Sequence, residues 1–326
     1  MSNRILELLS SGSGQYVSGE LLSRELGISR TAIWKQIKKL EVQGYVIEAS
    51  PRLGYRLAGK PSKLTMPELM EHLRDTSIVS SIKLFESVDS TQNIAHRLAE
   101  EGAPSGTLVI AEQQTSGRGR MGRQWVSPSG KGIYMSMVLR PDLPLQFAPQ
   151  LTLLTAVALC RALKEIAPLP IGIKWPNDLL IEGKKISGIL LESAAEDERL
   201  RHVIMGIGIS VNLTEDDYPE ELLPIATSLR IASGGEPLDR AAVIASFMKQ
   251  FEHLYAVYIS QGFSPIQTLW EALSVTLHKP TKLMTPQGVV EGIPVALNDS
   301  GALLVRLGDG REMPIFSAES MRPPQG

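Results

Sequence analysis

The chain of 326 residues has a single cysteine, Cys160. That excludes an intramolecular disulfide and a thiolate metal cluster. Within the apolar run Leu151 to Leu163, a lone thiol reads as a small buried side chain. No apolar run reaches the roughly 18 residues that a membrane-spanning helix needs. The amino terminus, MSNRILELLSSGSGQ, lacks the apolar core of a signal peptide, so a cytoplasmic protein is expected. An excess of one charge is missing too: charged residues make up 21%, apolar residues 43%, and the net charge is −2, the profile of a folded chain. The five histidines, His72, His96, His202, His253 and His278, are scattered. No Ser/His/Asp or Cys/His set accompanies them, which argues against a nucleophilic enzyme.

The small total charge hides an uneven distribution. Residues 1–60 carry nine Lys or Arg and five Asp or Glu, net +4, and the remainder is net −6. The amino-terminal segment therefore suits a polyanionic partner. Its pattern is helical: Arg4 to Leu9, then SGELLSRELG with Ser18 as N-cap and Gly27 as stop, then RTAIWKQIKKLEVQG behind a second N-cap, Ser29. In the third segment Ile33, Ile37 and Leu40 share a face, Arg30, Thr31, Lys35 and Lys38 lie away from it, and Trp34 could join either. GYVIEASPRLGYRL, Gly44 to Leu57, alternates apolar residues around a Pro/Gly turn and reads as a hairpin wing carrying Arg52 and Arg56. Together these features predict a winged helix-turn-helix that binds DNA through Ser29, Arg30, Thr31, Trp34, Lys35, Lys38, Arg52 and Arg56.

A Gly/Pro/Lys-rich linker, Ala58 to Glu68, leads into a mixed α/β region. GTLVIAE, GIYMSMVLR, IGIKW, DLLIEG, KISGILLES and RHVIMGIGISVNL read as strands, and Ser90–Glu101, Ala148–Ile166 and Arg240–Ile259 as helices. From about Leu273, short alternating runs broken by Pro-Gln-Gly, Asp-Ser-Gly and Gly-Asp-Gly turns predict a small all-β barrel. The expected organisation is multidomain α/β: a winged helix-turn-helix in residues 1–60, a binding and catalytic domain in 61–272 and the barrel in 273–326.

The chemistry concentrates in QQTSGRGRMGRQW, Gln113 to Trp125. Its Gly117-x-Gly119-x-x-Gly122 spacing matches a dinucleotide fingerprint, but the residues after it read as a strand rather than a helix. Asp142, the next acid, falls in a Pro-rich turn rather than at a ribose-binding position. What remains is a permissive loop carrying Arg118, Arg120 and Arg123, with Lys131 behind it and no acid between Glu112 and Asp142. Such a loop attracts anions. IKWPNDLLIEGKKISGILLES adds Lys174, Asn177 and Asp178 before a turn at Gly183, with Lys184 and Lys185 beyond it. ESVDSTQN adds Ser90, Thr91 and Gln92, short polar groups at a helix start. The set suits a neutral polar head group, an anionic tail and a nucleotide in one cleft.

Gly117-Arg-Gly-Arg-Met-Gly-Arg-Gln-Trp125, Lys174-Trp-Pro-Asn-Asp178 and Lys185-Ile-Ser-Gly188 follow one another behind a winged helix-turn-helix and ahead of a small barrel. In this the chain resembles, over nearly its whole length, the bifunctional biotin–protein ligases that are also biotin operon repressors. The resemblance implies a central mixed α+β ligase domain, class II synthetase-like, and an SH3-like carboxy-terminal barrel. It puts Ser90, Thr91, Gln92, Gln114, Gly117, Arg118, Gly119, Arg120, Lys185 and Gly188 at biotin-binding positions. Arg120, Trp125, Asn177 and Lys185 fall on the nucleotide side, and Arg120 and Lys185 are the catalytic charges where carboxylate meets phosphate. The implied reaction joins biotin and ATP into biotinyl-5′-AMP, with Mg²⁺ on the triphosphate. The biotinyl group then passes to a lysine of the biotin carboxyl carrier protein of acetyl-CoA carboxylase or a similar carrier. The same adenylate would be the corepressor of a homodimer on operator DNA; no membrane partner is implied.

Two positions depart from the family pattern. Members often read Asp-Ser-Thr-Asn where this chain has Asp89-Ser-Thr-Gln92, so either Gln92 or Asn93 makes the amide contact. They often read Gly-Ile-Asn-Val where this chain has Gly208-Ile-Ser-Val211, which leaves Ser210 or Asn212 in that role. Trp175 and Trp270 are expected in the core. Two other readings compete: a ligand-sensing repressor that binds biotin without activating it, and a ligase for lipoate or another acyl acid on a similar fold.

Overall fold

The computed structural model describes residues 2–11, 15–42, 45–59 and 63–320. Gly44 of the expected wing and Lys60, Pro61 and Ser62 of the expected linker lie outside these. The chain divides into two compact units, Met1–Arg74 and Asp75–Gly326.

The first unit contains α1 (Ser2–Ser11), α2 (Gly19–Leu26), α3 (Arg30–Val42), β1 (Val46–Ser50), β2 (Gly54–Gly59) and α4 (Met66–His72). Local chemistry sets its breaks. Ser18 Oγ accepts from Leu21 N at the start of α2, and Gly27 ends that helix in the left-handed conformation at φ 64. Ser29 Oγ then accepts from Ala32 N at 3.2 Å and begins α3. Ile5, Leu9, Leu22, Ile33, Ile37 and Leu40 bury together with Tyr45 and Ile47. The opposite stripe of α3, Thr31, Trp34, Lys35 and Lys38, is exposed, which places Trp34, 51% accessible, on the basic face. β1 and β2 pair antiparallel as the wing.

The second unit begins with β3 (Ser81–Val88), α5 (Thr91–Glu100), β4 (Thr107–Gln114), β5 (Ile133–Leu139), α6 (Ala148–Ile166) and β6 (Ile171–Lys174). It continues with β7 (Asp178–Ile181), β8 (Lys184–Glu196), β9 (Arg199–Ile209), α7 (Leu229–Ala232), α8 (Arg240–Gln261) and α9 (Ser264–Leu273). Seven strands form one sheet in the order β3-β4-β5-β9-β8-β7-β6. β3 and β4 run parallel and are joined through α5; the other neighbours are antiparallel. Side-chain alternation along β9 separates two helical layers. Ile204 packs with Ala95 and Ala99 of α5, whereas Met205 Sδ accepts from Thr155 Oγ1 of α6 at 3.1 Å. Thus α5 covers one face and α6 the other, with α8 packed on α6. The expected buried Cys160 lies within α6, its thiol pushed up to about 11 by burial.

β10 (Thr281–Thr285), β11 (Gly288–Leu297), β12 (Leu303–Arg306), β13 (Glu312–Ile315) and β14 (Glu319–Ser320) follow. They form an antiparallel sheet, β13-β12-β11-β10-β14, in the region expected as a barrel. The sequence reading has neither β3 nor α9. Among the described residues no helix is long and apolar enough to cross a membrane.

Candidate active site

β3 ends at Val88, and two residues later Ser90 caps α5, its Oγ accepting from Gln92 N at 3.2 Å. The amino end of α5, the positive end of its dipole, opens onto a cavity of about 250 Å³ on the α5 face of the sheet.

One end of this cavity is a buried network of neutral polar groups. Gln114 Oε1 accepts from Thr91 N at 2.9 Å, and Gln114 Nε2 donates to Ser127 Oγ at 3.2 Å. Ser136 Oγ donates to Gln92 Oε1 at 2.9 Å and lies 2.9 Å from Thr91 Oγ1. Thr91 Oγ1 also donates to Gln114 Oε1 at 3.1 Å, so its single proton is shared between Gln114 and Ser136. Gln92 Nε2 in turn donates to Ile204 O at 3.1 Å. The longer Gln side chain fits because residue 206 is glycine: a Cβ there would lie 2.3 Å from Gln92 Oε1. Of the two neighbouring amides, Gln92 lines the cavity, whereas Asn93 does not and instead contacts Arg118, which does. Asn93 donates to Asp89 Oδ2 at 2.6 Å and accepts from Arg118 Nη2 at 2.6 Å. The bonds from Asn93 and from Ser90 N keep the Asp89 carboxyl below the usual carboxylate range.

The other end is cationic. The glycine loop folds back on itself, with Trp125 N donating to Gly117 O at 2.9 Å and Gly119 N to Arg123 O at 2.7 Å. It runs on into strand β5, as its sequence predicts, and not into the helix that a dinucleotide fingerprint requires. Arg120 Nη1 donates to Asn177 Oδ1 at 3.3 Å, and Nη2 to Ser317 Oγ at 2.9 Å. Asn177 is itself anchored, Nδ2 donating to Ile189 O at 2.7 Å. Lys185 Nζ lies 2.7 Å from Asp178 Oδ1 and 5.4 Å from the centre of the Trp125 ring. The indole rests across Gly188 and Gly208, which face each other in β8 and β9. Its Nε1 is buried without a hydrogen-bond partner. Arg118, Arg120, Arg123, Lys174 and Lys185 all line the wall, and Asp178 is the one acid among its described residues. This end therefore favours anions.

Ser90, Thr91, Gln92, Gln114, Arg118, Gly119, Arg120, Trp125, Asn177, Lys185 and Gly188 line this single cavity. Gly117 lies behind the wall, where a Cβ would meet Ser127 Oγ at 2.8 Å. Lys131 is turned to Asp217, 2.5 Å away, and Lys184 is exposed outside the wall. Ser210 lines the cavity, whereas Asn212 bonds both backbone groups of Leu238. Trp270 is fully buried in the core; Trp175 is also buried but forms part of the wall. Sequence reasoning missed Ser136, Gly206 and Ser317, and gave no role to Asp178 or Gly208. Ser136 had a signal: a hydroxyl inside an otherwise apolar buried strand needs a partner.

On the amino-terminal unit, three of the expected DNA-facing cations are paired at the surface. Arg30 lies 3.2 Å from Glu20, Lys38 lies 2.6 Å from Glu41, and Arg56 lies 2.6 Å from Glu48 while stacking on Tyr16. Arg52 is exposed in the wing turn, and Lys35 is exposed on α3. Exposed pairs of this kind are weak, so phosphates can displace the acids.

Three family descriptions match this chain: Biotin/lipoate A/B protein ligase family over residues 84–210, HTH domain over 2–56, and Biotin protein ligase C terminal domain over 276–318. The bifunctional ligase/repressor BirA of Bacillus spizizenii is 46% identical over 97% of this chain and 96% of its own. The protein of the same name from Escherichia coli is 29% identical over 93% of this chain and 91% of its own. Among solved structures, the biotin protein ligase of Aquifex aeolicus in complex with biotin and ATP superposes with a TM-score of 0.64 at 33% identity, covering 74% of this chain and 98% of its own. The chain therefore belongs to the biotin/lipoate A/B protein ligase family, and within it to the members that carry an amino-terminal helix-turn-helix and a biotin protein ligase carboxy-terminal domain.

Proposed function

We propose that this chain is an ATP-dependent biotin–protein ligase and a biotinyl-5′-AMP-responsive repressor of biotin genes. The observation that carries the ligase reading is the division of one cavity into a buried neutral network around Gln92 and a cationic end around Arg120 and Lys185. Similarity to bifunctional ligase/repressors over nearly the whole chain supports both activities, and a ligand-bound structural relative supports biotin and ATP as substrates.

In the first step a biotin carboxylate oxygen attacks the α-phosphorus of ATP, and the bond to the β-phosphate oxygen breaks to release pyrophosphate. Two unit charges about 4 Å apart repel by roughly 4 kcal/mol at an effective dielectric near 20. Arg120 and Lys185 offset that repulsion, Lys185 exchanging its contact with Asp178 for the incoming anions. The neutral head group takes the donors and acceptors of Ser90, Thr91, Gln92 and Gln114, with Arg118 nearby; Gly119 and Gly188 allow close backbone approach, and Gly117, behind the wall, lets the loop pack on Ser127. Trp125 and Asn177 flank the nucleotide. In the second step the neutral amine of a carrier-protein lysine attacks the anhydride carbonyl, and AMP leaves into the same cationic end.

Magnesium binds through few protein carboxylates plus substrate phosphates, and a lone Asp178 beside the cationic wall fits that donor set. Asp178 would hold the ion, which supplies charge neutralisation along the triphosphate. The basic stripe of α3 and the wing, with Ser29, Arg30, Thr31, Trp34, Lys35, Lys38, Arg52 and Arg56, is the surface proposed for operator DNA. A homodimer formed on adenylate binding would link carrier demand to operator affinity.

ATP–pyrophosphate exchange driven separately by biotin and by lipoate tests this reading. Exchange with biotin alone is the expected result. Exchange with lipoate instead would assign another acyl acid, and biotin binding without exchange would make the chain a sensor only.

A further inference from the structure

We infer that Ser317 is a positioning residue for Arg120, so that the carboxy-terminal sheet fixes a guanidinium of the cavity. The kinetic consequence rests on the ligase reading above; the contact itself does not. The loop does not hold Arg120 unaided. Its backbone there is one turn of 3-10 helix in which Met121, at φ 56, and Gly122, at φ 74, adopt the left-handed region. Met121 is 76% exposed, so this turn is not packed down through its own side chain.

The guanidinium instead bridges two remote parts of the fold. Nη1 donates to Asn177 Oδ1 at 3.3 Å, and Nη2 donates to Ser317 Oγ at 2.9 Å, 197 residues along the chain. Each anchor is fixed in its turn. Asn177 O accepts from Ile189 N at 2.9 Å while its amide donates back to Ile189 O at 2.7 Å. Ser317 is itself exposed, as is Phe316 before it, but the segment is held by buried Ile315 and buried Ala318 and runs into the β14 pairing with β10; Ala318 lines the cavity. A planar fork gripped at both terminal nitrogens has its position and its plane set. Losing the Ser317 grip loosens the fork, and a charge stabiliser that must be ordered during the reaction is then less effective.

Three variants of the full chain test this: Ser317→Ala, Ser317→Thr, and Ser317→Ala combined with Arg120→Ala. In biotin-dependent exchange, Ser317→Ala is expected to lower kcat about tenfold with KM for ATP and biotin within about twofold, the scale of one hydrogen bond to a charged group. Ser317→Thr keeps the hydroxyl and restores the rate to within about threefold. In the Arg120→Ala background, Ser317→Ala changes kcat less than about twofold, because the coupling partner is gone. A second measurement needs no catalysis: tryptic cleavage after Arg120 in the ligand-free chain should quicken about fivefold in Ser317→Ala and stay near wild type in Ser317→Thr. Equal cleavage rates in wild type, Ser317→Ala and Ser317→Thr, or a kinetic loss that persists undiminished without Arg120, would overturn the proposal. If the wild type lacks biotin-dependent exchange while cleavage separates as expected, the ligase reading fails and the positioning role stands.

Discussion

Trp125 lies against Gly208 so closely that a Cβ on residue 208 would fall 2.6 Å from indole Cε2 and Nε1. Because residue 208 has an ordinary strand conformation, alanine is excluded there by the indole and not by the backbone. Gly208→Ala should displace the ring, change its fluorescence, and weaken ATP binding about tenfold, a cost typical of overpacking. An unchanged emission spectrum together with unchanged ATP affinity would separate Trp125 from the nucleotide.

The same reasoning applies two residues earlier. Gly206→Ala puts a methyl 2.3 Å from Gln92 Oε1 and 3.2 Å from Leu190 O, so the buried amide has to move and give up its bonds. A loss of about 1–3 kcal/mol is expected, or roughly 2–12 °C in Tm for a unit of this size. Biotin affinity should fall with it. Thermal melts with and without biotin check both parts, and a variant that melts and binds like wild type would refute the packing argument.

Arg120→Ala should lower adenylate formation about 10²-fold or more, the usual effect of removing one preorganised charge stabiliser. Single-turnover measurement at saturating ATP isolates that step. Near-wild-type turnover there would leave Arg120 without a chemical role.

Stability should fall in mild acid through His202. The ring is fully buried, neither nitrogen has a hydrogen-bond partner, and burial holds its pKa below the ordinary 6.5. Glu100 opposes that shift, while Arg201, Arg140 and His96 reinforce it. As pH drops through 6.5 the unfolded chain takes up a proton that the folded chain still refuses, so folding weakens until the lower folded value is passed. Urea unfolding of wild type and His202→Leu at several pH values reads this directly. The gap between the two midpoints should shift in favour of the variant as pH falls; a constant gap would remove His202 from the account.

On the amino-terminal unit, Lys35→Ala and Lys38→Ala should each lower the slope of log affinity against log salt for operator DNA by about 1. Adenylate formation should be untouched. Equal loss of both activities would point to misfolding instead.

Much of this was legible in residues whose chemistry is local. Ser18, Gly27 and Ser29 mark the helix boundaries because capping and the left-handed stop depend on a few adjacent atoms. The arginine loop and the Lys174 to Asp178 motif carry their charges within short segments, so their cationic character was legible, and the fold brings both to one cavity. The α9 helix was missed although Pro265 sits in its first turn and Ile266 and Trp270, four apart, are buried; its Pro and Ser had blurred the pattern. The edge strand β3 shows no clean alternation, being half-buried along most of its length, so period 2 gives no signal. The roles of Gly206 and Gly208 were invisible because a glycine's value there is set by which side chain crosses it, and Gln92 and Trp125 come from distant segments. The Ser317 contact is less legible still, since nothing near either residue announces the other.

That last separation also orders events during synthesis. Arg120 and Ser317 are 197 residues apart, which at roughly 5–20 residues per second means that about 10–40 seconds pass on the ribosome between the two. A nascent chain can fold its DNA-reading unit early, yet its guanidinium has no hydroxyl to grip until the closing sheet emerges. The amino-terminal unit can thus be folded before the cationic end of the cavity is complete.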